Sequence, residues 1–246
     1  MLLAAAVAGC GDTVSLDPVA KAADASSKQS SEHMTMTATV STGGTIVSMT
    51  GQGDFQNDPA LGSMTATVSG PKQETMQEVM KGTTLYMTSP LFQGQLPGGK
   101  TWMAMDYAKV AKTLGVDMPS TTQSPADTLA TLRAAGGTVT KLGPAVIEGV
   151  ATTHYTATVD PTRVAKLTKA LGDGVTYQPV DVWVDGQGLV RRIRLQYATD
   201  GNSTLPTQMM DMTMTLSRYG EPVTATVPPS WQVYDATSAA TQQLKH

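Results

Sequence analysis

Apolar and polar residues alternate with a period of two along most of the chain from Met34 onward. In residues 34–40, methionine, alanine and valine alternate with threonine, and because neighbouring side chains of a strand point to opposite faces, this pattern predicts a half-buried strand. The period returns in several further segments, namely 45–55, 64–68, 74–80, 83–87, 139–142, 146–159, 180–184, 189–197 and 210–216. Many of the turns between them are short and contain glycine, which predicts antiparallel pairing because parallel strands need long crossovers.

Two glycines interrupt the second of these strands. Gly51 and Gly53 lie where apolar side chains would continue the alternation. Glycine inside a strand often marks a bulge or a poorly packed end, so we expect one of these two irregularities here.

The middle of the chain has a helical pattern instead. Asp106 can cap a helix that contains Val110 and ends at Gly115. Ser124-Pro125 and Asp160-Pro161 each place a capping residue before proline, which predicts two further helices. Together these patterns predict one α+β domain, a strongly curved antiparallel sheet with a few helices covering its concave face.

Composition narrows the class of protein. The chain has 246 residues, of which 40% are hydrophobic and 15% charged, and its net charge is -3. These values argue against a disordered chain and against a nucleic-acid binder. A single cysteine, Cys10, excludes an internal disulfide framework and a cysteine-cluster metal site, and we expect neither a metal nor a cofactor.

The first ten residues have the features of a targeting segment. The apolar run 2–9 is too short to span a bilayer and resembles the hydrophobic region of a secretory signal. Val7-Ala8-Gly9-Cys10 resembles the bacterial lipobox, which implies a diacylglyceryl group on the Cys10 sulfur and anchoring at the extracytoplasmic face of the membrane. No basic residue precedes Leu2, which suggests that the signal peptide, residues 1–9, is truncated. The alternative interpretation of residues 1–10 is an ordinary N-terminal helix with a buried cysteine.

These observations divide the chain into four parts. We expect a signal peptide over 1–9, the lipidated cysteine and a tether over 10–31, a single domain over 32–235 and a flexible tail over 236–246. Within the tether, the composition from residue 19 onward is compatible with a short helix. Nothing after residue 9 is apolar for long enough to cross a bilayer, so the rest of the chain is expected to be a soluble domain outside the cytoplasm.

Catalytic chemistry has little support in the sequence. The motifs GxSxG, HExxH, GxGxxG and the P-loop do not occur, and the chain contains three histidines. His154 lies within a threonine-rich strand, where a hydrogen-bonded or solvated histidine is more common than a catalytic base. We therefore expect no enzyme.

Two charged groups remain open to interpretation. Asp181 and Asp185 suit turn solvation better than a cation site, which needs more oxygen ligands. Arg191, Arg192 and Arg194 either form a solvated strand face or bind phosphate and anionic headgroups.

Several motifs together resemble the LppX/LprG family of actinobacterial lipoproteins. They are the helix start at 124–129, the strand pair at 146–155, VWVD at 182–185 with GLVRR at 188–192, and YGEPV at 219–223. The resemblance implies a LolA-like half-barrel, in which a twisted sheet surrounds helices and an apolar cavity. It also implies binding of an acylated glycolipid or another envelope lipid, and lipid carriage at the outer face of the membrane.

The apolar strand faces supply candidates for the lining of such a cavity. Methionine is flexible and polarizable, so a methionine-rich surface can adapt to acyl chains of varied shape. The candidates are Met34, Met36, Met64, Val68, Leu85, Met87, Val182, Val184, Ile193, Leu195, Met210, Met212 and Met214. The alternative for each is ordinary core packing.

A second functional hypothesis uses the same fold without lipid. In it, the protein is a lipid-free sensor or scaffold that acts through a protein partner in the membrane or cell wall. In either case we expect a monomer that contacts the membrane through Cys10 and binds no nucleic acid.

Overall fold

The structure is a computed structural model that describes residues 12–14, 17–70, 73–114, 138–158, 175–199 and 207–243. Their strands are β1 (Asp12–Val14), β2 (Ser31–Thr42), β3 (Thr45–Gln56), β4 (Leu61–Ser69), β5 (Glu74–Lys81), β6 (Thr84–Thr88), β7 (Trp102–Asp106), β8 (Val139–Ile147), β9 (Val150–Ala157), β10 (Val175–Tyr177), β11 (Val180–Asp185), β12 (Val190–Thr199), β13 (Gln208–Ser217) and β14 (Val233–Asp235). The helices are α1 (Asp17–Ser27), α2 (Tyr107–Leu114) and α3 (Thr237–Gln243), with 3-10 turns at Pro90–Phe92, Pro97–Gly99 and Ser230–Gln232.

All the strands belong to one sheet. The order of hydrogen-bonded neighbours is β1-β8-β9-β11-β12-β13-β2-β3-β4-β5-β6-β7-β14, and β10 pairs with β12 beside this path. The pairs are antiparallel except for β14 with β7, which is parallel. The sheet is open and curled, which confirms the predicted fold class.

The strand register separates the side chains into two faces. On β2, Met34 and Met36 pair with Leu216 and Met214 of β13, whereas Thr35 pairs with Thr215. We call the methionine-bearing side the inner face and the threonine-bearing side the outer face. The alternation predicted from the sequence is therefore kept across neighbouring strands.

The glycines of β3 do not form a bulge, and at Gly53 the residue is explained by the close approach of a neighbouring strand. Register continues without a shift through Gly51 and Gly53 in both neighbouring pairs, so the predicted irregularity is wrong. A Cβ atom on Gly53 would lie 2.4 Å from the Ser63 carbonyl oxygen and 3.0 Å from Met64. Glycine is needed there because β4 approaches too closely for any side chain.

Helix α1 is part of the domain. Val19, Ala22 and Ala23 are buried in the main core cluster, and the helix contacts β11 and β12. Ser26 Oγ accepts a hydrogen bond of 2.9 Å from the backbone N–H of Val190. The tether predicted for 10–31 is thus wrong for Asp17–Ser27, and β1, which pairs with β8, also lies within the sheet.

The end of the chain is also structured further than predicted. Helix α3 contacts α2, and Ala236 and Thr237 are buried. The flexible tail predicted from residue 236 is therefore wrong for Thr237–Gln243. Asp106 caps α2 as predicted, since its Oδ1 accepts a hydrogen bond from the backbone N–H of Lys109. The helices predicted after Ser124 and Asp160, and Cys10 itself, lie outside the described residues.

Candidate functional site

The structure places all thirteen candidate lining residues on the inner face. The pairings run across the sheet from Val182 to Ile193, then to Met214 and Met36. A second row passes from Leu195 to Met212 and onward through β2 and β3 to Val68. Since side chains opposite each other in such rows share one face, these residues form a continuous apolar surface.

Exposure of this surface changes along the strands. We call the end of the sheet with the Gly43-Gly44 turn the rim, and the end where β2 begins at Ser31 the base. Seven candidates are buried: Met34, Met36, Met64, Val182, Val184, Ile193 and Met214. Six are half-buried: Val68, Leu85, Met87, Leu195, Met210 and Met212. Across the central strands β12, β13 and β2, helix α1 and the core close the base side, and the surface becomes accessible toward the rim.

Glycines make room for the methionines of the inner face. Met36 lies opposite Gly51, and Met34 lies opposite Gly53. The Met64 sulfur would be 3.5 Å from a Cβ on Gly51, so it fills the space that this glycine leaves. Flexible thioether chains packed over glycines can change conformation without moving the backbone.

The inner face also contains groups that the sequence patterns missed. Met49 packs against the core from β3, where the supposed irregularity at the glycines hid the alternation. Glu78 lies on the inner face between Met64 and Met87 in the strand register. Burial raises the pKa of the Glu78 carboxyl, and burial together with the Glu78 charge raises the pKa of Tyr107. Glu78 takes a position at which the neighbouring strands have apolar residues. This mismatch is the sequence signal by which Glu78 could have been recognised as an inner-face residue.

Buried polar contacts close the base. The Asp185 carboxylate accepts hydrogen bonds from the backbone N–H groups of Gln187 and Leu189, at 2.8 and 2.9 Å, and from Arg191 Nε at 2.6 Å. The Arg191 guanidinium lies 5.3 Å from the Tyr219 ring centre, and the Tyr219 hydroxyl donates to the Val190 carbonyl. Burial raises the pKa of Tyr219 above its ordinary value. These contacts fix the β11–β12 turn.

The outer face carries the histidine that was a catalytic candidate. His154 Nε2 lies 2.9 Å from Asp181 Oδ1, and its ring stacks on Trp183 at a centroid distance of 4.2 Å. The hydrogen-bonded histidine expected from the sequence is confirmed. Asp181 and Asp185 therefore have separate partners, and among the described residues no cluster of His, Cys, Asp and Glu could hold a metal.

The remaining arginines of β12 also have partners within the chain. Arg194 forms two hydrogen bonds with Asp211, at 3.0 and 2.6 Å, and these hydrogen bonds lower the pKa of that carboxyl. Arg192 Nε donates to Thr215 Oγ1. These pairings favour the solvated-face interpretation of the arginines over a phosphate site.

A shallow polar groove lies at the base. Its lining includes Glu32, His33, Asp54, Arg218 and Glu221. His33 Nδ1 is 2.8 Å from Asp54 Oδ1, and Arg218 Nη2 is 3.1 Å from the same oxygen. Because His33 and Arg218 share the Asp54 carboxylate, the groove joins β2, β3 and the segment after β13.

Comparison with known proteins places this geometry in a family. The family model described as LppX_LprAFG lipoprotein matches residues 13–225. The chain belongs to the LppX_LprAFG lipoprotein family. The match covers β1 through the segment before β14, so it includes the whole inner face and helix α1. The resemblance noted from the sequence motifs is thereby confirmed.

Solved structures of LppX_LprAFG proteins share the fold. LppX from Mycobacterium tuberculosis matches with a TM-score of 0.54 and 18% identity, covering 85% of this chain and 96% of that one. LprF from Mycobacterium bovis matches with a TM-score of 0.52 and 16% identity, covering 86% and 95%. A LolA superfamily protein from Nitrosomonas europaea has a TM-score of 0.30 at 12% identity, covering 86% and 96%.

Two further findings concern the chain itself. No curated protein sequence matches it. Among the described residues, none of the helices combines the length and the apolar character that crossing a bilayer requires.

Proposed function

We propose that this LppX_LprAFG lipoprotein carries an acylated lipid of the cell envelope on the inner face of its sheet. The observation that carries the proposal is the continuous methionine-rich surface, which is closed at the base and half-exposed toward the rim. Acyl chains would bury against Met212, Leu195 and Val68 and gain about 0.8 kcal/mol for each CH₂ group removed from water. The lipid's polar headgroup would stay at the accessible end.

Anchoring is the second part of the proposal. Cys10 would carry a diacylglyceryl group and hold the domain at the extracytoplasmic face of the membrane. Two acyl chains give stable attachment, whereas one gives only reversible binding. The protein would act there as a monomer that moves lipid without chemical change.

The outer face supports a carrier rather than a hydrolase. His33 and His154 both lie on that face, and each imidazole contacts an aspartate, Asp54 or Asp181. A hydrolase that used histidine as its base would need the imidazole beside the inner face. Replacing His154 by Ala should therefore leave lipid carriage unchanged.

Native mass spectrometry with lipid extraction tests the carrier function directly. The chain is purified from a host that makes its natural envelope lipids, and the expected result is a stoichiometric acylated species. Met212→Trp fills the half-buried part of the inner face and should remove that species. Thr213→Trp is the matched control, because its side chain lies on the outer face of the same strand.

The outcomes separate the two functional hypotheses. Loss of lipid in Met212→Trp with retention in Thr213→Trp supports carriage on the inner face. A lipid-free mass for the unaltered chain under the same conditions contradicts carriage and favours the scaffold that acts through a protein partner.

A further inference from the structure

Exposed apolar side chains are unevenly distributed over the molecule. Among the described residues, seven large apolar side chains are exposed, and five of them lie on the rim side of the sheet. These five, which we call the rim set, are Ile46, Val47, Leu91, Met209 and Trp231. The other two, Leu142 and Val146, lie on β8. Scattered single residues need no explanation, but a concentration at one end marks an interaction surface.

The β2–β3 hairpin is apolar on both faces at its tip. Ile46 and Met209 lie on the outer face, on either side of Ser41 in the register, and are 66% and 62% exposed. Val47 lies on the inner face opposite Val40. Elsewhere on these strands the outer-face side chains are polar, many of them threonine, so the tip departs from the alternation that serves a water-facing sheet.

Leu91 and Trp231 are exposed apolar side chains next to other strand ends that point in the rim direction. Leu91 belongs to the turn that follows β6, and Trp231 to the turn that precedes β14. β6 ends and β14 begins at their rim-directed termini, since Met87 and Tyr234 both pair with Met103 of β7. Trp231 is 70% exposed, and tryptophan is the side chain most typical of the membrane–water interface.

Charge around the rim set suits a lipid surface. The hairpin from Met34 to Gly53 contains no Asp, Glu, Lys or Arg. The segments 88–102, 196–199, 207–210 and 229–233 contain no acidic residue and one cation, Lys100, whose Nζ donates 2.6 Å to the Trp231 carbonyl. Among the described strand ends on this side, Glu74 is the acidic residue. Insertion of the hairpin tip, residues 40–47, would therefore desolvate no charged side chain.

The hairpin backbone is equally suited to an apolar environment. Pairing between β2 and β3 continues to Thr42 and Thr45, and only Gly43 and Gly44 form the turn. Both glycines have positive φ, 55° and 83°, as a two-residue turn requires. The backbone polar groups that β2 and β3 turn toward each other are thus hydrogen-bonded up to the turn, which lowers the cost of bringing the tip into lipid.

We propose that the rim set docks the protein onto the surface of a lipid bilayer. The inference rests on the proposed function, because docking in this orientation brings the accessible end of the inner face to the membrane.

Site-specific fluorescence tests the docked orientation. The full chain carries Cys10→Ser, and a single labelled cysteine replaces either Ile46 or the control Val146. Val146 is 68% exposed and sits beside a β-hairpin turn at the base. With vesicles of phosphatidylcholine and phosphatidylglycerol, an environment-sensitive dye at position 46 should shift to the blue and be quenched by nitroxide lipids. Equal shifts at both positions, or no shift at position 46, would overturn the proposal.

Vesicle sedimentation measures the contribution of the apolar side chains. Ile46→Ser combined with Met209→Ser should weaken partitioning about tenfold, because two exposed apolar side chains no longer enter the lipid. Leu142→Ser combined with Val146→Ser is the matched control and should leave partitioning unchanged. The unaltered chain and the two double variants share residues 1–11, so the difference in partitioning reports the rim. Equal partitioning of the two double variants would contradict docking.

The same variants separate this inference from the carrier function. The Ile46→Ser, Met209→Ser chain should still co-purify with lipid, since both positions lie outside the candidate lining. Vesicle docking by a chain that contains no lipid would contradict carriage and support docking. A blue shift at position 46 that grows with protein concentration in the absence of vesicles would identify a second copy of the chain as the occupant and overturn the membrane proposal.

Discussion

Glu78 shows how one residue departs from the chemistry of its surroundings. It lies in register with Met64 and Met87 on the inner face, and burial raises its pKa. The neutral acid is therefore favoured in the folded state more than in the unfolded state. As a consequence, the free energy of unfolding falls as pH rises above the ordinary value of 4.5 and levels off above the raised folded value.

Replacing Glu78 by Gln should remove this pH dependence. At neutral pH we expect Glu78→Gln to raise the free energy of unfolding by about 1 kcal/mol, because a buried charge is no longer desolvated. Below the ordinary pKa the two chains should be equally stable. Urea unfolding at acidic and neutral pH measures both differences, with Glu148→Gln at an exposed turn as the control. A pH-independent difference would show that another interaction is responsible.

Gly53 lies at a position where the neighbouring strand leaves no room for a side chain. Gly53→Ala places a methyl group against the Ser63 carbonyl oxygen and Met64, so we expect a loss of roughly 1–3 kcal/mol in stability from forced backbone movement. Gly51→Ala on the same strand meets its nearest atoms at 3.5 Å and should cost little. Thermal unfolding of both variants distinguishes them. Equal changes in stability would contradict close approach as the reason for glycine at position 53.

At the scale of elements, helix α1 decides how the inner face is closed. Its composition of alanine, serine and lysine resembled that of a linker, yet Ala22 and Ala23 are small enough to let the helix sit directly on the sheet. Ser26 then binds the N–H of Val190 at the start of β12, where the base is closed. Small side chains thus serve close packing here rather than flexibility.

Ser26→Ala tests this connection between helix and sheet. Because it leaves a buried N–H without its acceptor, we expect a loss of about 1–3 kcal/mol in the free energy of unfolding. Ser27→Ala is the matched control, since Ser27 is exposed and its hydroxyl bonds only within the helix. Chemical denaturation of the two variants gives the comparison. If both lose the same stability, helix propensity and not the contact with β12 is the cause.

At the scale of the whole molecule, α1 and the sheet form one core. Val19 and Ala22 belong to the same cluster as Met34, Val182 and Ile193. Removing the helix would expose much of the buried half of the inner face. The domain that folds as a unit therefore begins before the boundary at residue 32 expected from composition.

Two truncations test this boundary. A chain without residues 1–16 keeps α1 and should unfold cooperatively with near-normal stability. A chain without residues 1–31 loses α1 and should show reduced near-ultraviolet circular dichroism and bind hydrophobic dyes, as loosely packed states do. Cooperative unfolding of the shorter chain would restore the interpretation of residues 17–31 as a tether.

The sequence patterns alone predicted most of the strands and the family to which the chain belongs. Alternation alone assigned the inner face, since all thirteen candidates share it in the structure. Capping chemistry correctly assigned the start of α2 at Asp106. These features are local, because a strand's period and a helix cap depend on residues that are neighbours in the chain.

Other features depend on residues far apart in the chain, and only the tertiary structure decided them. The parallel pairing of β14 with β7, the space requirement at Gly53 and the burial of Glu78 have no local signature. The exposed fraction of each apolar side chain is of the same kind, because it depends on which elements pack above it. The sequence alone therefore determined which residues form the inner face, and tertiary packing decided that this face is closed at the base and accessible toward the rim.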